Sequence, residues 1–148
     1  MAHRRLPVAA LALSLAFALA ACSGADILTY IPEGGSYGAD GLEALMTGID
    51  PGKTADATIG EASELRQDAL EDLRQHGTDA GLLADTLTSD FPLDEPAVPV
   101  HVELGTFEGA RAWFVLEATG ADDGTLGFRR LWVISFADRS VVAAVSGR

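Results

Sequence analysis

The feature that most restricts the fold of this chain is a change of hydrophobic period at Pro96. Before it, apolar residues recur at helical spacing. Ala62, Leu65, Ala69, Leu70 and Leu73 share one face of a helix predicted over about 59–76, opened by a Thr58/Glu61 capping box and stopped by Gly77. Thr78 caps a shorter helix carrying Leu82, Leu83 and Leu87, which ends before Phe91-Pro92. After Pro96 the period falls to two. Val98, Val100, Val102 and Leu104 alternate with Pro99, His101 and Glu103, the pattern of a half-buried strand. Glu108-Gly109, Asp123-Gly124 and Asp138-Arg139 then turn the chain into strands over 110–119, 126–136 and 141–145. Helices followed by a meander predict an α+β fold, with one or two helices packed on a four-stranded antiparallel β-meander.

A chain of 148 residues, 48% hydrophobic and 22% charged, is sized for one globular domain. Residues 59–148 hold the periodic segments and are read as that single α+β domain. Residues 22–58 are read as an anchor and flexible tether, because Gly34-Gly35-Ser36-Tyr37-Gly38 and Asp50-Pro51-Gly52 are strong breakers. Within them, Asp40-Gly41-Leu42-Glu43 predicts a short helix that Gly48 ends.

Residues 1–22 have three parts. Arg4-Arg5 makes a basic start, 8–21 is apolar apart from Ser14, and Leu19-Ala20-Ala21-Cys22 closes the segment. An apolar run this short, ending in small residues, is a cleaved export signal and not a membrane span. Leu-Ala-Ala-Cys resembles the lipobox of bacterial lipoproteins. The resemblance covers residues 1–22 alone. It implies removal of 1–21 as a signal peptide by cleavage between Ala21 and Cys22, and a diacylglycerol on Cys22. The product would be held on the extracytoplasmic face of a cell membrane. Cys22 is the chain's one cysteine, so no intrachain disulfide can form.

The net charge is −12, and removal of 1–21, which contains Arg4 and Arg5 but no acid, takes it to −14. Such a chain is repelled by phosphate backbones, so no nucleic-acid partner is expected. The cations are unevenly placed: Lys53, Arg66 and Arg74 face 18 acids between Cys22 and Glu108, whereas five arginines follow Gly109.

No chemical motif carries a reaction, and no catalytic residue, metal or cofactor is assigned. Gly34-Gly35-Ser36-Tyr37-Gly38 has the spacing of a nucleophile elbow, but it lies in the tether with too little chain after it to build the large sheet that such an elbow crowns. Gly48 to Thr54 falls one residue short of a phosphate-binding loop and is read as a turn. His76 and His101 have no companions at metal-ligand spacing. His76 is read as a helix C-terminal residue and His101 as solvent-facing. Asp90, Asp94 and Glu95 are read as solvated loop acids, and Asp122-Asp123-Gly124 as a turn.

Both faces of the middle strands carry bulk, and one helix can cover only one of them. Trp113 is either core or the centre of an exposed patch with Val115, Leu131 and Val133, flanked by Arg111 and Arg129. Such a patch would be an interaction surface for another envelope protein. The order of elements loosely resembles PepSY-like and cystatin-like exported modules, and Arg130–Val142 resembles the closing hairpin of PepSY domains. That hairpin lacks a Thr-Gly after its aspartate, and neither fold nor activity is carried over. The function expected is a non-enzymatic binding or accessory module of the envelope, with a carrier or sensor of a small hydrophobic ligand between helix and sheet as the alternative.

Overall fold

The computed structural model of the chain describes residues 27–91 and 95–148. The expected cleavage site, Ala21 and Cys22, and the acid Asp94 lie outside them. The fold is α+β. The main elements among the described residues are β1 (Thr29–Ile31), β2 (Ser36–Tyr37), α1 (Leu42–Gly48), α2 (Ala62–Arg74), α3 (Thr78–Ser89), β3 (Ala97–Phe107), β4 (Ala110–Thr119), β5 (Phe128–Ser135) and β6 (Val141–Gly147). The strands form one mixed sheet in the order β1-β3-β4-β5-β6, with β2 also pairing β3.

The antiparallel meander is present as β3 to β6, but the sheet has two more strands than expected. β1 and β2 pair parallel to the outer side of β3, Tyr30 opposite Val102 and Tyr37 opposite Phe107. Residues 29–37, expected as tether, therefore supply two strands, and the short helix expected to end at Gly48 is present as α1. The reason lies in Ile27-Leu28-Thr29-Tyr30-Ile31, a β-branched and aromatic run long enough to pair. Leu28, Leu42 and Met46 are buried with the core.

Local chemistry sets the ends of the elements. The Glu61 carboxylate accepts from the Thr58 amide at 2.9 Å and its hydroxyl at 2.8 Å, which starts a 3-10 turn that runs into α2. Gly77, at φ 101, breaks α2 from α3; it occupies the cap position expected of Thr78, which is the first helical residue. Glu108 and Gly109 both have positive φ, the two-residue turn whose twist suits a hairpin.

Directly opposed residues of an antiparallel pair show their side chains on the same face. Trp113 opposes Leu104 and Ile134, and Val115 opposes Val102 and Trp132, which defines one face. Phe114 opposes Val133, and Leu116 opposes Leu131, which defines the other. α2 packs over β3 on the Trp113 face, with α3 beside it. α1 packs against β5 and β6 on the Leu131 face, and its C-terminal carbonyls accept from Arg129. The second face is thus covered by the chain's own N-terminal segment. A bulge between Pro99 and His101 puts Val98 opposite Ala118 while Val102 opposes Val115, so the alternating valines of β3 do not share one face.

Candidate functional site

The expected interaction patch is not on the surface. Trp113 keeps 2% of its exposure, and Val115, Leu131 and Val133 keep none. Nor do they share a face, since Trp113 and Val115 point toward α2 while Leu131 and Val133 point toward α1. Arg111 is exposed and sets its guanidinium over the Phe136 ring at 4.0 Å. Arg129 is occupied on α1: its Nη1 donates to Met46 O at 3.3 Å and Ile49 O at 3.0 Å. Trp113, Val115, Leu131 and Val133 are therefore packed inside the fold and form no exposed patch. Each face is covered by a helix, the second one by α1, which lies in the segment expected as tether.

Beneath α2 lies a buried ionic cluster. Glu117 is 1% exposed and accepts from Arg66 Nη1 at 3.0 Å, Arg130 Nη2 at 3.2 Å and the Trp132 indole N–H at 2.7 Å. Arg66 also donates to the carbonyls of Leu87 at 2.8 Å and Ala97 at 3.0 Å, so it ties α2, α3 and the start of β3 together. Its Nε–H has no acceptor, the one such buried side-chain atom among the described residues. Arg130 also pairs with Glu95 at 2.7 Å, and these two carboxylates raise its pKa against the opposing effect of burial.

A second polar cluster fixes the N-terminal strands. His101, expected to face solvent, is 6% exposed, with its Nε2 3.4 Å from Glu103 Oε2. Glu103 Oε1 accepts from the Gly35 amide at 2.6 Å and the Tyr37 hydroxyl at 2.8 Å. Burial, and then the bond and charge of Glu103, push the Tyr37 phenol up. Here Gly34-Gly35 passes close over β3: a Cβ on Gly34 would strike the Glu103 side chain, and one on Gly105 the Gly35 carbonyl. The Gly-x-Ser-x-Gly run is therefore a close chain crossing. Ser36 accepts from the Thr106 hydroxyl at 2.7 Å and His101 faces Glu103, so this serine and histidine form no nucleophile–base pair.

Two features reach solvent with chemistry to offer. One is a groove of about 490 Å³ along α2. Ala62, Ser63, Arg66, Gln67, Leu70 and Arg74 form its helical wall, and Thr88 with Glu95, Pro96 and Ala97 forms the other. It is not the helix–sheet cavity expected for a ligand, because that interface is packed with Leu73, Val102 and Trp113. Its lining follows from α2 presenting small and polar residues beside its buried stripe, a pattern without a distinctive sequence signal.

The other is the β6 edge. β6 is the last strand of the sheet, and among the described residues nothing pairs with its outer side. Its seven residues carry no charge, and Val141 and Val142 are 46% and 50% exposed. Arg139 precedes it and Arg148 follows it.

Among the described residues no three of His, Cys, Asp and Glu come together as metal ligands, and no helix is long and apolar enough to cross a membrane. Comparison with known family models, curated proteins and solved structures finds no match to this chain.

Proposed function

We propose that the chain is an exported lipoprotein, held by a diacylglycerol on Cys22 at the extracytoplasmic face of the cell membrane, and that its domain is a non-enzymatic accessory module. In this reading the module docks another envelope protein by accepting a strand of that protein along β6. The observation that carries it is the free, uncharged outer edge of β6. An unpaired edge offers a row of backbone donors and acceptors, and natural proteins usually protect such an edge with lysine, proline or a cover. β6 carries one bulge but no lysine, proline or cover, and at seven residues it is longer than β1 and β2, the three- and two-residue strands of the opposite edge. Arg139 and Arg148 at its ends favour a partner strand with acidic flanks.

The test is photo-crosslinking in the cell from a reactive residue placed at Ser146, in the full chain. The expected result is one discrete adduct with a different protein. It disappears when Val142→Lys and Ala144→Lys charge the edge and persists with Leu82→Lys on the far surface of α3. An adduct indifferent to the edge lysines, or one between two copies of the chain, defeats this reading. The anchor is tested separately: Cys22→Ala should move the protein from the membrane to the soluble or unprocessed fraction.

A further inference from the structure

We infer that the groove along α2 is a binding site for a single-chain aliphatic carboxylate. The volume, about 490 Å³, lies within the range of small-molecule pockets. Its helical wall from Ala62 to Arg74 covers about 18 Å at the rise of an α-helix, so it suits an elongated ligand. Ala62, Leu70, Pro96, Ala97 and Ile59 give it an apolar lining for a hydrocarbon chain.

Ser63, Gln67 and Arg74 along its helical wall can each donate a hydrogen bond. Ser63 and Gln67 are exposed on the wall, and among the described residues neither side chain makes a hydrogen bond within the protein. Arg74 uses Nε and Nη2 on Asp85, leaving Nη1 for a ligand. That pair is exposed on both sides, and such pairs hold weakly, so a ligand carboxylate can compete for the guanidinium. Arg66 lies in the floor and adds its positive charge beneath the groove, while its Nε–H is buried without a partner.

Charge placement disfavours cationic ligands and large polyanions. None of the four acids of α2, Glu64, Asp68, Glu71 and Asp72, lines the groove, although two of the three cations between Cys22 and Glu108 do. The one acid at its mouth, Glu95, is held by Arg130 at 2.7 Å. A cationic ligand would meet Arg66 and Arg74, and a large polyanion would meet the acidic outer face of α2. A small anionic head on a hydrocarbon tail satisfies both walls.

The test is displacement of 11-(dansylamino)undecanoate from the protein, followed by dansyl fluorescence, with dodecanoate and dodecanol as competitors. The expected result is saturable binding, with dodecanoate about fivefold the stronger competitor, the preference an exposed arginine supports. Arg74→Gln removes that preference and leaves dodecanol unchanged. Ser63→Phe fills the groove from an exposed position and abolishes displaceable binding, with circular dichroism and melting temperature unchanged. Absence of saturable binding, or binding indifferent to Ser63→Phe, overturns the site. Equal competition by dodecanol overturns the carboxylate assignment.

Discussion

Arg66 and Glu117 meet at 3.0 Å although 51 residues separate them, and both are closed off from solvent. The pair joins α2 to the middle of the sheet, and Glu117 is shared with Arg130 and Trp132. Its cost of desolvation is offset only while every member keeps its partners. Glu117→Gln leaves the buried Arg66 with no carboxylate partner and Arg130 with Glu95 alone, and should cost about 3 kcal/mol. Arg66→Met leaves Glu117 its other two donors and should cost clearly less. Urea unfolding of the two variants decides this; equal losses would mean that Glu117 does not hold the cluster together.

Trp113 behaves as core in a mutational test. Trp113→Ala should cost about 3–5 kcal/mol, the range for deleting a large buried aromatic. Arg111→Ala, two residues away and exposed, should stay within about 1 kcal/mol, the worth of an exposed cation–π contact. Thermal melts of both measure the contrast, and similar small shifts would place Trp113 outside the core.

The chain has two tyrosines, and both phenols are raised above their ordinary value. For Tyr30 burial comes first, then the Asp79 charge, with Arg111 opposing; for Tyr37 burial is followed by Glu103. A raised folded pKa means that the folded state holds its proton longer than the unfolded one. The stability this contributes is complete below about pH 10, the unfolded value, and is lost as pH rises through the folded one. Ultraviolet titration should show phenolate forming above pH 10 in the native protein. In Glu103→Gln the Tyr37 transition should move down while that of Tyr30 stays; an unchanged curve would remove Glu103 as a cause.

Gly105→Ala should detach the N-terminal strands from β3, because the added methyl meets the Gly35 backbone and no side chain can yield. A loss of about 1–3 kcal/mol is expected, as for other overpacked sites. Limited proteolysis should also cut within 29–38 sooner than in the parent. Gly41→Ala, where a Cβ meets nothing, is the control.

The period change at Pro96 made the meander and both long helices legible, since each face pattern is local. The capping box at Thr58 and the stop at Gly77 were legible for the same reason. Residues 29–37 were not. Gly34-Gly35 reads as a breaker in isolation, and only its approach to Glu103 and Gly105 reveals a pairing segment. The run Ile27–Ile31 was the available signal. Missing it left the cover of the second sheet face open among the other helix, the tether and an outside partner. The bulge at Val100, which changes the facing of β3, has no sequence mark, and His101 was misplaced with it. Edge status depends on strand order, so β6 could be drawn but not recognised as free.

The buried position of Leu28 changes the proposed lipoprotein from a module on a long leash to one held close. Six peptide steps separate Cys22 from Leu28, about 20 Å at full extension. That reach is comparable to the radius of a domain this size, so the body could not swing clear of the headgroups. Encounters with a partner would then be a search in two dimensions, restricted to proteins of the same membrane whose strands lie within a molecular diameter of the lipid.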